Sequence, residues 1–595
     1  MSAGRRSGAF STLRSRSQRA AGQAAFRQLT GIEFDDQGIS SSDNDETEDD
    51  ESETDEEPPN DNLQSHWVTV HPGSDERPEA VPDFLGATGL NPDIQVPLEI
   101  EENLPFFIEL FFPHSTFSAL TKWTNTRMWR FYVAEGDEES LQNPKTFIEV
   151  NEMKKFFGLV FLMAINKKPE LNHYWSQTLI YKQDIFSCRE SLSRDRFKHI
   201  LRFLRFADYD ELDSEDSISK VRPFLRMVQN FCKAVYTPER EICIDESLML
   251  FKGRTKLRQY IPNKRNRYGI KTYLACESSS GYTFNILSHQ FRSEVQDLVR
   301  HIPGTEELLQ SEKIVIYLID FLLNQGFHVF VDNYYTSYNL AKFLSDNSTL
   351  CTGTIRIGRG VPQLLSQMTV QVKDFGCVRH EDILLVKFVD RKSSGRKVIY
   401  LLDTSSVAEG EIHRRIVKGG HEDTVHRPTV IKRYNSNMGG VDLKDACMKP
   451  YDATRKSYKW CTKYGIHLFQ IMHHNAWVIY RKSGGQKSYL TFLETTIHFW
   501  VMRTGDGRSC SATGGRPAFR VSSGVVENQP RSSIPVHRLE RLPPKPMQKH
   551  PAKKCRVCSR DKRRKETVFV CVGCEGQPGL CVGECFRKYH EDMKQ

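Results

Sequence analysis

A mixed α/β fold is what this sequence predicts, and three observations carry the prediction. Between residues 241 and 356, short β-branched and apolar runs give three strands, then helix–strand–helix–strand. On either side, residues 98–240 and 454–500 carry apolar side chains at helical spacing. Six of the fifteen cysteines fall in the last 41 residues, which marks a small metal-bound module at the C-terminal end.

Taken in order, residues 1–95 read as a disordered N-terminal region. A basic, Ser/Arg-rich start leads into an acidic run and a Pro-rich stretch, with few residues to offset the entropy of ordering. Residues 43–57 hold eleven Asp or Glu and no Lys or Arg; without those eleven negative charges the net +8 becomes +19. A body that basic attracts polyanions, nucleic acid above all. The acidic run is either a solvated tail or an autoinhibitory, phosphorylatable segment, since Ser42 and Ser52 have acidic residues downstream. The start of the chain has no apolar core of a secretory leader. Its longest uncharged apolar run, Phe156–Ile165, is about half a membrane span, so no membrane association is expected.

Asn151 is placed to cap a helix through Ile165, and the run 191–208 puts Phe197, Ile200, Leu201 and Leu204 on one face. Arg194, Lys198, Arg202 and Arg205 fall mostly elsewhere, either as a solvated face or against a phosphate backbone. From 241 the period shortens. Glu241–Asp245, Lys271–Glu277, Tyr282–Gln290 and His328–Asp332 read as strands, and Thr349–Arg356 as extended. Glu312–Leu323 and Asn339–Leu344 read as helices. Between Asp332 and Asp442 there is more chain than one crossover needs, so 357–430 is expected to be a strand-rich insertion. Residues 503–552, rich in Gly, Ser, Pro and Arg, read as a linker. His467, His473 and His474 lie on an apolar helix and read as core or surface histidines rather than ligands.

Asp245 follows Ile-Cys-Ile, and Asp332 follows Val-Phe-Val. A carboxylate at the end of a buried strand is costly unless it is paired or metal-bound. Asp442 and Asp445 follow Gly439 and Gly440 where a helix can begin; i,i+3 spacing gives them one face, and the helix dipole favours both. Taken singly, each is equally a cap or turn residue. Together they can converge on hard divalent cations such as Mg²⁺ or Mn²⁺, which take oxygen ligands and support phosphoryl transfer. Glu246 is expected on the opposite face of its strand and is left out of the set.

Phe251–Tyr273 contains eight Lys or Arg and no acid: Lys252, Arg254, Lys256, Arg258, Lys264, Arg265, Arg267 and Lys271, interleaved with Phe251, Tyr260, Tyr268 and Tyr273. Cations neutralise phosphates, and aromatics stack on unpaired bases. Asn333 either touches nucleic acid or caps the following helix. Arg455, Lys456, Lys459 and Trp460 are a second candidate contact, with core packing the alternative for Trp460. At the C-terminal end, Cys555-x2-Cys558 and Cys571-x2-Cys574 form two knuckles with the spacing of a Zn²⁺ site. Cys581, Cys585 and His590 suggest a second, cross-braced ion, and His550 is a possible eighth ligand. One zinc or two stays open. Lys553, Lys554, Lys562, Arg563, Arg564 and Lys565 around the knuckles resemble a nuclear-localisation signal and are positive enough to hold DNA, so a nuclear location is expected.

In this order, IDE at 244–246, YIPNK and YGIK at 260–271, VDN-x-x-TS at 331–337, GTIR at 353–356, YN-x-x-x-GGVD at 434–442, RK-x-x-x-W at 455–460 and the Cys-rich tail resemble the piggyBac family of transposases, from about Leu98 onward. The resemblance implies an RNase H-like catalytic core at 241–356 and 431–453, interrupted by the 357–430 insertion. It implies a helical dimerisation and DNA-binding domain in two parts, 96–240 and 454–502, and a zinc-binding domain at 553–595. It implies that Asp245 bridges two metal ions, that Asp332 and Asp442 hold one each, and that Asp445 is auxiliary. Lys256, Arg258, Lys264, Arg267, Tyr268, Lys271, Asn333, Lys456 and Trp460 would then meet double-stranded DNA, with Trp460 near the active site. The implied activity, in a homodimer, is excision through hairpin ends and insertion at TTAA. The alternatives are a catalytically silent, domesticated DNA-binding protein, or a chromatin adaptor whose finger binds protein.

Overall fold

A computed structural model describes residues 66–77, 80–209, 212–261, 267–288, 292–392, 395–416, 422–455, 457, 459–502, 539–542, 551–572, 574 and 576–591. The acidic run, Lys264, Arg265, Lys456, His550 and most of the expected linker lie outside the described residues. The chain divides into two compact units between Arg508 and Ser509.

The larger unit is organised by a ten-stranded sheet. Glu241–Leu250 lies at its centre, antiparallel to Tyr268–Glu277 and parallel to His328–Val331. Thr283–Ser288 continues the sheet beyond Tyr268–Glu277, and Leu350–Thr354 runs parallel to His328–Val331. Parallel neighbours need crossovers, supplied by helices Arg292–Val299 and Gln310–Ile319 before His328 and by Tyr338–Asp346 before Leu350. The central strands are apolar on both faces because both faces are covered: Ile242, Cys243, Ile244, Val329, Phe330 and Val331 are all inaccessible.

Strands Asp374–His380, Ile383–Lys392 and Gly395–Asp403 fall inside the expected insertion, but they do not stand apart. They form a meander whose last strand pairs with Leu350–Thr354, so the main sheet simply continues. Gly410–Ile416 and Glu422–Pro428 form a separate hairpin. The far edge of the main sheet corrects the N-terminal expectation. Val68–Val70 pairs with Asp374–His380, and Trp67 is buried against Tyr338. Arg379 donates to both oxygens of Asp75, at 2.6 Å each, in a buried ion pair. One Trp and one well-placed Asp thus recruit part of a stretch whose average composition reads as tail.

Helices His114–Glu135, Val150–Ile165, Arg194–Phe203 and Arg222–Val235 pack with Trp460–Lys482 and Tyr489–Met502 around an aromatic core. Phe157 and Phe469 stack at 3.8 Å between ring centres. Phe111 meets Tyr282 of the sheet, so helices and sheet share one core. The helix expected to start at Asn151 starts at Val150, where Glu152 accepts from the Glu149 N–H. His473 lies between Tyr489 Oη and Thr496 Oγ1, at 3.2 and 2.9 Å, a satisfied core histidine. No helix among the described residues is long and apolar enough to cross a membrane.

In the smaller unit, Lys553–Lys554 pairs with Glu566–Thr567 and Leu539–Arg541 with Phe569–Cys571. Helices Arg556–Arg560 and Glu584–Glu591 complete it around Val557, Val570 and Leu580. So small a core leaves the cysteines to hold the unit together.

Candidate functional site

The middle of one strand, the end of the next and the start of a helix come together at the sheet. Ile244 is in register with Val331, so Asp245 and Asp332 come next on adjacent parallel strands. The His328–Val331 strand then stops, and Asp332 turns the chain by accepting from the Tyr334 N–H at 2.9 Å. Helix Gly440–Met448 starts against Glu241–Leu250 and Tyr268–Glu277. A Cβ on Gly440 would lie 2.9 Å from Glu277 O and 3.2 Å from Cys243 Cβ, so only glycine lets the helix approach this closely. Asp442 is then exposed in the first turn.

Among the described residues, Asp245, Glu246 and Asp332 bring carboxylate oxygens within 4.8 Å of one another. Glu246 therefore faces the cluster, contrary to the expectation from strand alternation. Beyond Val331 the neighbouring strand no longer flanks this segment, and the longer glutamate turns to Tyr335, whose hydroxyl donates to it at 3.3 Å. Removal from water, followed by the charges of Glu246, Asp332 and Asp442, pushes the Asp245 carboxyl well above its ordinary range. Burial, with Glu246 next, pushes Asp332 up to about 6. Carboxylates crowded this way repel until a cation joins them.

Asp445 differs. Ser247 Oγ donates to its two oxygens at 3.0 and 2.9 Å, and the buried Lys444 ammonium pairs with it. Desolvation raises this carboxyl, but Lys444 and Ser247 outweigh it and hold it below the ordinary value.

The basic stretch presents Lys252, Arg254, Lys256, Arg258, Tyr260, Arg267 and Tyr268 at the surface. The rings of Tyr260 and Tyr268 lie 4.8 Å apart, and the Arg258 guanidinium lies 5.1 Å over Tyr268. Phe251 and Tyr273 are buried core residues and leave the set of stacking candidates. Lys271 turns inward, 3.9 Å from Glu246 and 4.7 Å over the Tyr334 ring. Asn333 does not cap the next helix. Ser337 does, accepting from the Leu340 N–H, while Asn333 accepts from Arg356 at 3.3 Å. Arg455 donates to Tyr174 Oη at 3.0 Å and Lys459 to Arg202 O at 2.7 Å, while Trp460 is half-buried against the core.

The C-terminal cysteines separate into two clusters: Cys555, Cys558, Cys581 and Cys585, and Cys571, Cys574 and His590. The first knuckle reaches past the second, which is the cross-braced arrangement. Cys558 and Cys585 sulfurs are 3.6 Å apart, and His590 Nε2 lies 3.3 and 3.1 Å from Cys571 and Cys574. His590 Nδ1 donates to Phe586 O at 2.7 Å, which turns Nε2 toward the sulfurs. Burial alone would raise the Cys555 thiol, but the backbone N–H groups of Cys558 and Cys581 bring it down to about 7. A tetrahedral four-sulfur set is the donor chemistry of Zn²⁺.

The family model described as "Transposase IS4" matches residues 106–477, and the "DDE_Tnp_1-like zinc finger" model matches 543–591. The fold is that of a piggyBac transposase solved by cryo-EM as a synaptic complex with hairpin DNA; the TM-score is 0.58 and identity 23%, over 70% of this chain and 83% of that one. This chain belongs to the piggyBac family of transposases. Among curated relatives, human PiggyBac transposable element-derived protein 2 is 26% identical over 415 residues, 67% of this chain and 65% of its own length. The human derived protein 3 is 26% identical over 344 residues, 56% of this chain and 55% of its own length. The chain thus spans somewhat more than half the length of the relatives it matches. In this transposase, the sequence put both Asp245 and Asp332 at strand ends; Asp332 does follow the end of its strand, whereas Asp245 lies inside Glu241–Leu250, and Glu246 was left out.

Proposed function

We propose that this protein is a metal-dependent, cut-and-paste DNA transposase with an RNase H-like catalytic core. The observation that carries the reading is that Asp245, inside the Glu241–Leu250 strand, and Asp332, just past the end of the adjacent parallel strand, bring carboxylate oxygens within 4.8 Å, beside the helix that presents Asp442, in a chain of this family. The sheet order, three antiparallel strands followed by two parallel ones added on the other side of the first, supports the RNase H-like assignment. The donor set fits hard divalent cations: all ligands are oxygen, and the crowded carboxyls resist ionising without positive charge among them. Asp245, Asp332 and Asp442 would hold Mg²⁺ or Mn²⁺, with Asp445 as an auxiliary group. Bound there, the cations supply the positive charge that offsets negative charge developing at the reacting phosphate.

The chain's own residues do the rest. The carboxylates would fix where the scissile phosphate can sit through the cations they hold, since their own negative charge repels it. Lys256, Arg258 and Arg267 neutralise neighbouring phosphates, and exposed Tyr268 offers a stacking face for an unpaired base. Lys264, Lys456, Asn333 and Trp460 are assigned to the same DNA path. Lys271 serves the site from inside it, through Glu246. Both zinc clusters hold the C-terminal finger, which reads the element's terminal repeat. Its basic residues also direct the protein to the nucleus. Synapsis of two ends calls for a homodimer. Hairpin ends and joining at TTAA complete the reaction.

The test is excision from a plasmid carrying matched terminal repeats, with Mg²⁺. The parent protein excises, and Asp245→Ala abolishes cleavage while still retaining the ends in a gel shift. Equal cutting by that variant rejects the site; absence of cutting by the parent, with binding intact, selects the domesticated DNA-binding protein.

A further inference from the structure

A cavity of about 100 Å³ lies against the Gly440–Met448 helix. Leu443 and Cys447, one turn apart, form one wall, and Trp477 and Val478 of the Trp460–Lys482 helix form another. At about 3.6 residues per turn, Asp442 and Asp445 fall on the other side of the helix from Leu443 and Cys447. The cavity thus backs onto the helix that presents Asp442. The polar groups beside it are mostly engaged. Lys482 pairs with Glu239 at 2.6 Å and with Glu277 at 2.9 Å, the Ser280 hydroxyl donates to Glu277, and Arg481 donates to Gly485 O at 2.9 Å. His474, which also lines the cavity, differs. It is 1% exposed, and among the described residues its Nδ1 has no hydrogen-bond partner. Removal from water, with the Lys444 ammonium next, brings the ring down to about 3 against smaller raising effects of Asp445 and Asn475, so the imidazole is neutral. A buried ring nitrogen left without a partner destabilises the fold, and a ligand that satisfies it gains what the fold lacks.

These features define what fits. Apolar walls call for an apolar body, and the paired Lys482 calls for no charge on it. A hydroxyl suits Nδ1 in either tautomer, because it both donates and accepts. An apolar cavity of about 150 Å³ takes benzene, so this smaller one takes at most a single ring. We propose that the cavity is a binding site for a small neutral molecule, an apolar body of up to one ring bearing one hydroxyl, which bonds to His474 and braces the Gly440–Met448 helix. The bracing follows from the walls. Gly281, at φ +72°, already seats its turn on the helix start, where a Cβ would meet Gly440 O at 3.0 Å. A ligand touching Leu443 and Cys447 adds contacts that exist only while the helix stays packed, and so favours that position. The proposal stands whether or not the acidic centre holds cations.

The experiment uses the full, zinc-loaded chain, with phenol as the probe and toluene as its match in size without the hydroxyl. Calorimetric titration of the parent should show one saturable phenol site with a Kd of about 0.1–1 mM, the scale for so small a ligand. Toluene should bind at least about fivefold more weakly, the effect of one buried hydrogen bond. His474→Phe should bring phenol down to the affinity of toluene, and Val478→Phe, which fills the cavity, should abolish binding of both. Backbone amides of residues 440–448 should exchange hydrogen more slowly when phenol is bound. Far-UV circular dichroism monitors folding; should Val478→Phe fail to fold, Val478→Ile adds less volume and must still weaken phenol binding. Phenol binding that does not saturate, or that persists unchanged in the folded Val478 variant, overturns the site. Equal affinities for phenol and toluene, or parent-like phenol binding by His474→Phe, overturn the role of His474. Saturable binding with unchanged exchange over 440–448 overturns the bracing of the helix.

Discussion

The acidic cluster and the cysteine module both gather ligands, but they depend on the fold in opposite directions. The acidic residues span 245–442 and meet because a large, independently packed sheet and a close-packed glycine bring them together. The cysteines and His590 fall within 555–590, in a unit with few apolar core residues. In the first, the fold makes the site, and the site strains the fold by crowding like charges. In the second, the site makes the fold, because thiolates deprive a small chain of core and repay it only when a metal is bound.

The largest test of that contrast is zinc removal. A strong chelator should make residues 551–591 sensitive to protease, since structural zinc contributes on the order of 10 kcal/mol to so small a unit. The 66–502 unit should keep its thermal midpoint, read by circular dichroism. Joint melting of both would break the comparison. Next in size, Cys558→Ser and Cys574→Ser should each lower bound zinc by one ion per chain in native mass spectrometry, because they belong to different clusters. Loss of all zinc from either variant would show one shared centre.

The opposite sign is expected at the acidic cluster. Asp245→Asn removes a carboxyl whose ionisation the fold opposes and should stabilise the metal-free chain at neutral pH, while removing the stabilisation that added Mn²⁺ gives the parent. A pH dependence sharpens the same point. Folded Asp332 keeps its proton up to about pH 6, whereas its ordinary value is 3.8. Between those values the folded state binds more protons than the unfolded one, so this group's contribution to stability falls as pH rises. Denaturation of the metal-free parent against Asp332→Asn should therefore show the gap widening from pH 4 to pH 7, and a constant gap would contradict it. The smallest effect sets the scale of ordinary structure: Ser193→Ala, which removes the cap accepted from the Arg196 N–H, should cost about 1 kcal/mol in the same denaturation experiment.

Much of this was legible in advance, and the reasons are local. Val-Phe-Val and Ile-Cys-Ile announce buried strands; the Asp that follows ends the strand at Asp332 but not at Asp245, where the strand runs on to Leu250. The C-x2-C spacing announces a knuckle, because two thiolates that close already face one ion. What misled was reasoning that extended a local rule past its support. Alternation excluded Glu246, which does keep its strand partner Tyr273, because it ignored that the parallel neighbour stops at Val331 and that a glutamate is long enough to reach Asp332. Composition assigned residues 66–95 to a tail, although Asp75 and Trp67 needed only a distant Arg379 and Tyr338 to hold their stretch in place. Tyr273 and Phe251 looked like stacking residues beside cations, but their strand neighbours placed them in the core.

By itself, then, the sequence determined the family, the alternation of strands and helices, the strand end at Asp332 and the thiol knuckles, since each is written in residues a few positions apart. Only the tertiary structure decided which carboxylates share a charge problem and which have solved it. Repulsion and ion pairing depend on distances of a few ångströms between residues such as Ser247 and Asp445, far apart along the chain, and those distances are set by packing, above all at Gly440, where a missing side chain lets a helix close on the sheet.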